Sequence, residues 1–439
     1  MKRVAIVGGG AAGLVATRWF AQSSKWDVHT FEKNNEIGGA WVYREDDGVS
    51  NSSMYKMLRS NLPKETMAYP DFPFSEELPT FITHSDVLSY LNSYCEKYCL
   101  DKHIHFNSMV EKISPVSKNH PIVGPWNIKW KENDLDCYQE EFDNVIICNG
   151  HYSTPYTPNI HGIEYFKGNT SHSHCYRTKD GFKDKRVALL GNGASAVDIG
   201  LEIATVADAL YHCKRKSSDS MFGNPDDGVI ACDAISRINE DGDIVLEDST
   251  ILTNIDHLLF CTGYHYDYPF LDEKSSIEMK YKRIEGLYQH ILPFNSSHPQ
   301  YYTCENNVIP PTIAFIGLLW KSIQFPLYDI QTRYILDLWE GNTELPTSME
   351  MRKSIENWYN TITNSLPKHY LHSLGPLQWE YCEELNIKSG KKKEITEFLN
   401  YIRPIYDMAT EIRKEYPNEY KHMNILTTGN ECKVVKRNN

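Results

Sequence analysis

The chain has 439 residues, 41% hydrophobic and 23% charged, a globular composition long enough for two substantial domains. Its net charge of −13 excludes the basic stripe expected of a nucleic-acid binder, and no apolar run reaches the ~20 residues of a membrane-spanning helix. Eleven cysteines, an odd number without a tight framework, read as free thiols of a soluble, cytoplasmic protein. The alternative is a secreted protein whose leader is already removed, because the first strand begins at once. Asn51-Ser52-Ser53, Asn169-Thr170-Ser171 and Asn295-Ser296-Ser297 match the glycosylation pattern at the frequency chance gives, so they do not decide the compartment.

Lys2 to Val7 reads as a short apolar strand. The loop Gly8-Gly9-Gly10-Ala11-Ala12-Gly13 follows, and Leu14 to Phe20 reads as a helix. Strand, glycine turn and helix are the context a dinucleotide site requires. Gly8 permits the turn, Gly10 lets a pyrophosphate approach the backbone, and Gly13 lets the helix pack on the strand. A second strand, Trp26 to Phe31, ends at Glu32, nineteen residues after Gly13. An acid there binds ribose hydroxyls and disfavours a 2′-phosphate. Gly38 and Gly39, just before Trp41, read either as a second close backbone approach or as an ordinary turn. Cys95 and Cys99 fall on an expected helix, Val87 to Tyr98, as small hydrophobes and not as a redox pair. Trp126 to Trp130 alternates with period two, a half-exposed strand of a small antiparallel layer.

Asp143 to Cys148 is a buried strand running into Asn149-Gly150. The stretch Phe166-Lys167-Gly168-Asn169-Thr170-Ser171-His172 follows, with Tyr176 four residues on. Lys185 to Leu190 is a further strand. A second glycine loop comes next, Gly191-Asn192-Gly193-Ala194-Ser195-Ala196, then a helix from Val197 to Val206 and a strand from Ala209 to Cys213. Lys214-Arg215-Lys216 ends that strand where the first site has an acid. Arg215 suits a 2′-phosphate because its planar fork grips phosphate oxygens; the alternative is a solvated strand end. The two sites therefore divide into FAD at the first and NADPH at the second. Asp256 to Cys261 runs into Thr262-Gly263, repeating the earlier strand-polar-glycine pattern. The expected fold is α/β with two Rossmann-like dinucleotide-binding domains. The NADPH domain, 159–266, is inserted in a discontinuous FAD domain, 1–158 and 267–439. The basic cluster Lys388, Lys391, Lys392 and Lys393 reads as a solvated helix entry.

Phe166, Gly168, His172 and Tyr176 match the FxGxxxHxxx(Y/F) fingerprint, and the chain resembles the flavin-containing monooxygenases of class B. Leu58 to Glu65 and Pro70 to Phe74 are similar to that family's segments. The likeness covers nearly the whole chain, and Gln378-Trp379-Glu380-Tyr381 looks most like insect members, some of which oxidise pyrrolizidine alkaloids to N-oxides. The hydrophobic C-terminal anchor of the microsomal members is absent from this sequence. The resemblance implies that Asn61, with Leu62 beside it, faces the flavin ring and the nicotinamide; from sequence alone Asn61 before Leu62-Pro63 is equally a turn residue. It places Pro326, Asp329, Gln331 and Arg333 at the start of a helix aimed at the flavin's pyrimidine end, Gln331 touching the cofactor. His172 is either a junction histidine or a chemical one. No metal is expected, because His172 and His174 lack a carboxylate or cysteine partner at metal spacing.

The chemistry implied is reduction of FAD by NADPH, addition of O2 to give a C4a-hydroperoxyflavin, and attack on it by a soft nucleophile. A tertiary amine such as a pyrrolizidine alkaloid (senecionine, for example) is the first expectation and a sulfide the second. Ketone oxidation of the Baeyer–Villiger kind or a plain flavin reductase are the rivals, and the missing CxxxxC counts against a disulfide reductase. A homo-oligomer, dimer or tetramer, is also implied.

Overall fold

The computed structural model describes residues 1–45, 52–117, 121–133, 135–215, 228–280, 283–294, 309–428 and 431–436. The chain opens with β1 (Lys2–Val7), α1 (Ala11–Gln22) and β2 (Trp26–Phe31). α2 (Lys64–Met67) and α3 (His84–Lys97) follow. A capping box, Thr83 with Asp86, starts α3 by satisfying two otherwise orphaned N–H groups. β3 (Ile104–His105) returns to the sheet. β4 (Ser108–Pro115), β5 (Trp126–Glu132) and β6 (Asp136–Phe142) form the antiparallel layer, in which Trp126, Ile128 and Trp130 face inward. β7 (Asn144–Ile147) then lies beside β1.

The chain crosses out through β8 (Thr154–Pro155) and enters a second unit with β9 (Asn169–His172), β10 (Arg186–Leu190), α4 (Ala194–Ala204), β11 (Ala209–Cys213) and β12 (Val229–Cys232). β13 (Ile235–Ile238), β14 (Ile244–Leu246) and β15 (Ile251–Leu252) make a small antiparallel sheet before β16 (His257–Phe260). β17 (Tyr264–His265) crosses back, paired antiparallel with β8, so the two connections run as one ribbon. Short ladders follow: β18 (Met279–Lys280) with β19 (Arg283–Ile284), and β20 (Leu287–Tyr288) with β21 (Leu292–Pro293). β22 (Ile313–Phe315) completes the first sheet. α5 (Gln324–Trp339), α6 (Ser348–Thr363), α7 (Gln378–Lys388), α8 (Lys393–Glu415) and the hairpin of β23 (Met423–Thr428) and β24 (Glu431–Lys436) follow.

Both large sheets are parallel throughout and share one order. The first runs β22-β7-β1-β2-β3 and the second β9-β16-β10-β11-β12. In each, a glycine loop leaves the central strand at the point where the strand order reverses, which is where open α/β sheets bind ligands. Val4 to Ile6 and Val187 to Leu189 are buried, as the core strands of a sheet covered on both faces must be. α1 packs on β1 and β2 and against α5, and the ion pair Arg333 Nε–Asp329 Oδ2 at 2.7 Å lies in the α1–α5 seam, where Asp329 also accepts from Trp19. The apolar run Ile313 to Leu319 is a buried strand and turn.

The basic cluster is a helix entry, as expected: Lys392 is the N-cap of α8, Lys393 begins it, and Lys391 and Lys393 are exposed. Lys392 and Lys388 do more than meet solvent: Lys392 Nζ reaches Asp337 Oδ2 at 2.6 Å, tying the α7–α8 turn to α5, and Lys388 pairs with Glu384 of α7 at 3.3 Å. Cys95 is a buried thiol as expected, but Cys99 is exposed, because the chain leaves α3 there through a left-handed residue at φ 50°.

Candidate cofactor sites and their junction

The two glycine loops match position by position. Gly8 has φ +109°, and a Cβ on it would lie 2.6 Å from the Cys148 carbonyl oxygen at the end of β7. Gly191 has φ +136°, and a Cβ on it would lie 2.1 Å from the Cys261 carbonyl oxygen at the end of β16. Both need glycine twice over, for conformation and for space. A Cβ on Gly13 would stand 1.8 Å from the Gly8 carbonyl oxygen, so α1 sits hard against its own loop. The second loop meets the same place with the fully buried Ala196.

The middle glycines are different. Among the described residues, a Cβ on Gly10 would meet only the backbone of Gly39, its Cα at 3.6 Å and N at 3.9 Å, and one on Gly193 would meet nothing within 4 Å. Their φ values, −79° and −92°, are open to any residue. Neither conformation nor packing among the described residues accounts for these glycines. Each is the N-cap of a helix with no side-chain cap, so the first N–H groups of α1 and α4 are left for another partner. Ser195 is exposed in the first turn of α4.

Around the first loop, Gly38 N donates to Gly9 O at 3.1 Å, which brings Gly39 onto Gly10. Trp41 follows in a short 3-10 turn and meets the Phe325 ring edge-on at 6.3 Å, at the uncapped start of α5. Tyr69 OH donates to Ala11 O at 2.6 Å and stacks on Phe325 at 5.3 Å, while Asp71 pairs with Arg18 of α1. These contacts give the Pro70 to Phe74 segment its structural reason. Glu32 Oε2 accepts from Gly9 N at 2.7 Å, and Oε1 accepts from Asn34 N and Nδ2, both at 2.8 Å. The acid thus clamps the loop to the end of β2, with about one of its four acceptor positions left.

Gln331 departs from expectation. It is fully buried. Its Oε1 accepts from Gly317 N at 3.3 Å and its Nε2 donates to Tyr381 OH at 2.9 Å, so its amide is consumed inside the protein. Asp329 and Arg333 are likewise buried between α1 and α5. The resemblance pointed these residues at the flavin; they lie on the expected helix but on its core side, and it is Phe325 of the first turn that reaches Trp41. Gln378 and Tyr381 are also structural: Gln378 Oε1 accepts from Ile323 N at 2.8 Å, bracing the start of α5.

The fingerprint builds the junction. A Cβ on Gly168 would lie 2.6 Å from the Ile255 carbonyl oxygen, where β9 comes onto β16, and Phe166 packs beneath. His172 ends β9; its Nδ1 accepts from His174 N at 3.0 Å and its ring meets Tyr264 of the returning strand at 5.3 Å. Burial holds its pKa down at about 4, which favours the neutral imidazole at this junction. Tyr176 is buried, with Tyr55 at 5.5 Å across the junction. Arg177 donates to Arg44 O and Ser52 O, fastening the same junction.

The segment carrying Asn61 lies between the two sites. Ser52 Oγ donates to Ala40 O at 3.0 Å on the first side, and Tyr55 OH donates to Asp198 Oδ2 of α4 at 3.4 Å on the second. Asn61 is half-buried; its Oδ1 accepts from Tyr420 OH at 3.0 Å. Leu62 packs on the main core. Arg215 is exposed at the end of β11, and Lys216 lies outside the described residues. The sequence reading missed His151, Tyr420 and Lys421. His151 was within reach, since it follows the Asn149-Gly150 strand end. Its Nδ1 donates to Gly317 O at 3.1 Å, and burial holds its pKa at about 4. Tyr420 and Lys421 carry no local signal. Among the described residues no group of His, Cys, Asp or Glu could hold a metal, and no helix is long and apolar enough to cross a membrane.

Comparison with known proteins agrees with this geometry. The flavin-binding monooxygenase-like family matches residues 1–230 and 227–409. Flavin-containing monooxygenase FMO GS-OX-like 4 of Arabidopsis thaliana is 31% identical over 442 residues, covering 95% of this chain and 93% of the relative. The structure of S-allyl-L-cysteine S-oxygenase from Allium sativum is similar with a TM-score of 0.83 and 30% identity, covering 96% of this chain and 94% of the other. Cyclohexanone monooxygenase shares the fold at 13% identity and a TM-score of 0.60, covering 89% of this chain and 99% of the other. With two like parallel sheets, two like glycine loops and a match along most of its length, the chain belongs to the flavin-binding monooxygenase-like family.

Proposed function

We propose that the protein binds FAD at the loop of Gly8, Gly10 and Gly13 and NADPH at the loop of Gly191, Gly193 and Ser195, and oxygenates a soft nucleophile. The observation that carries the reading is the pair of middle glycines. Gly10 and Gly193 sit at uncapped helix starts where, among the described residues, an added Cβ would touch only the backbone of Gly39 at the first and nothing at the second, which is the cradle a pyrophosphate needs. Residues 1–158 with 267–439 form the FAD unit and 159–266 the NADPH unit.

Once bound and reduced by NADPH, the flavin supplies activated dioxygen. The residues hold and shield. Glu32 keeps the first loop closed and has one acceptor position for a ribose hydroxyl. Gly39 lies against Gly10 of the loop, Trp41 meets Phe325 of α5, and the bare first turn of α5 favours negative charge in front of it. Asn61, held between the two sites, offers its amide nitrogen to flavin and nicotinamide. Arg215 takes the 2′-phosphate. No substrate-side acid or base is required, because the lone pair of the substrate does the attacking; the protein's task is to keep water out.

Two substrate atoms fit. The Allium relative's name, an S-oxygenase, favours a thioether sulfur. The likeness of Gln378 to Tyr381 to insect members favoured a tertiary amine nitrogen such as a pyrrolizidine alkaloid's, but those side chains brace α5 in this fold. Sulfur is therefore the first reading and amine N-oxygenation the second. NADPH consumption and product formation with a thioether, a tertiary amine, a pyrrolizidine alkaloid and a ketone test this. Turnover to sulfoxide or N-oxide supports the reading; turnover of the ketone alone overturns it.

A further inference from the structure

We propose that the adjacent residues Tyr420 and Lys421 are positioning residues that couple the NADPH-side helix α4 to the amide of Asn61. The inference rests on the placement of Asn61 given under Proposed function.

The two side chains leave one short 3-10 turn, Tyr420–His422, in different directions. Tyr420 OH donates to Asn61 Oδ1 at 3.0 Å. Lys421 Nζ donates to Asp198 Oδ2 at 2.7 Å and to the Arg59 carbonyl at 3.2 Å. Asp198 lies on α4, five residues after Gly193. The Lys421 and Asp198 side chains are 14% and 19% exposed, so the pair is partly shielded from solvent. The turn itself is well anchored. Tyr420 is buried, meets Phe81 edge-on at 5.1 Å and packs with Ile405, Ala409 and Ile412 of α8. Asn424 and Ile425 bond to Thr80 just beyond.

The consequence for Asn61 is a matter of donors and acceptors. A buried phenol stays protonated, and burial pushes the Tyr420 phenol well above its ordinary pKa. Its O–H needs an acceptor, and the Asn61 amide supplies one only with its oxygen turned to Tyr420. The NH2 end is then what Asn61 presents on its other side. Without the phenol the amide is free to flip and offer an oxygen where a donor is needed. Lys421 fixes the same turn to α4, so movement of the helix that follows the second glycine loop is felt at Asn61.

The test is a double-mutant cycle on the flavin-loaded full chain, reading hydrogen peroxide released per NADPH and flavin content. Tyr420→Phe should raise the peroxide fraction roughly three- to tenfold, the value of one hydrogen bond, at unchanged flavin content. In the Asn61→Ala background the same change should add nothing. Lys421→Gln, a second variant, should raise the KM for NADPH several-fold, and Asp198→Asn should not add to it. A fully coupled Tyr420→Phe beside an uncoupled Asn61→Ala, or fully additive effects in both cycles, overturns the bridge and leaves the Asn61 reading standing. A fully coupled Asn61→Ala overturns both.

Discussion

Gly193→Ala separates a ligand's need for glycine from the protein's own. Gly193 has φ −92°, and its added Cβ would meet no atom of the described residues within 4 Å. Alanine at a compatible φ stabilises a protein by about 0.4–1 kcal/mol through the unfolded chain. Alanine is also a poorer N-cap than glycine, which offsets that gain. Folding stability should therefore shift by less than about 1 kcal/mol. If a pyrophosphate lies against the α4 N-terminus, the methyl group occupies its place. Losing one charge-assisted contact costs about 1.5–3 kcal/mol, which is roughly ten- to hundredfold in affinity. Thermal melting of the flavin-loaded protein and initial rates against NADPH concentration measure both quantities. The expected result is an unchanged melting temperature and a KM raised by that factor. An unchanged KM would refute the placement of NADPH at this loop.

Gly13→Ala is the steric counterpart: its Cβ would stand 1.8 Å from the Gly8 carbonyl oxygen, so this variant should lose bound flavin and melt lower, by absorbance at the flavin band and by calorimetry. Arg215→Ala should raise the KM for NADPH on the order of tenfold more than that for NADH, because only NADPH carries the 2′-phosphate; equal effects on both would remove Arg215 from that role. Stability should also fall on mild acidification. His151 and His290 are buried neutral, held by desolvation at about 4 and about 3. Their folded pKa lies below the unfolded ~6.5, so the unfolded state binds more protons in between. Their contribution is whole above ~6.5 and is lost as pH falls toward 4, at about 1 kcal/mol per pH unit for each near pH 5. Denaturant midpoints that stay level from pH 7 to 5 would contradict this.

The parts of the fold that local spacing controls were legible. Each glycine loop announces itself because a strand, a left-handed glycine and a helix start must follow one another within a few residues. Glu32 and the period-two strand at Trp126 are local in the same sense. Gln331 was misplaced because the resemblance gave the helix and its direction but not which of its faces meets the core; only Gly317 and Tyr381 settle that, from fourteen and fifty residues away. Lys392 looked solvated because its partner, Asp337, lies on another helix. Tyr420 and Asn61 are 359 positions apart, and nothing near either residue points to the other.

The central claim is that reducing power from the second site places an oxygen atom on a soft nucleophile. Turnover under isotopically heavy dioxygen measures it directly, with NADPH and a thioether or a tertiary amine, and with mass analysis of the product. One heavy oxygen is expected in the sulfoxide or N-oxide for each NADPH consumed. NADPH oxidation that yields only peroxide with every soft nucleophile, or product oxygen drawn from water, would contradict it.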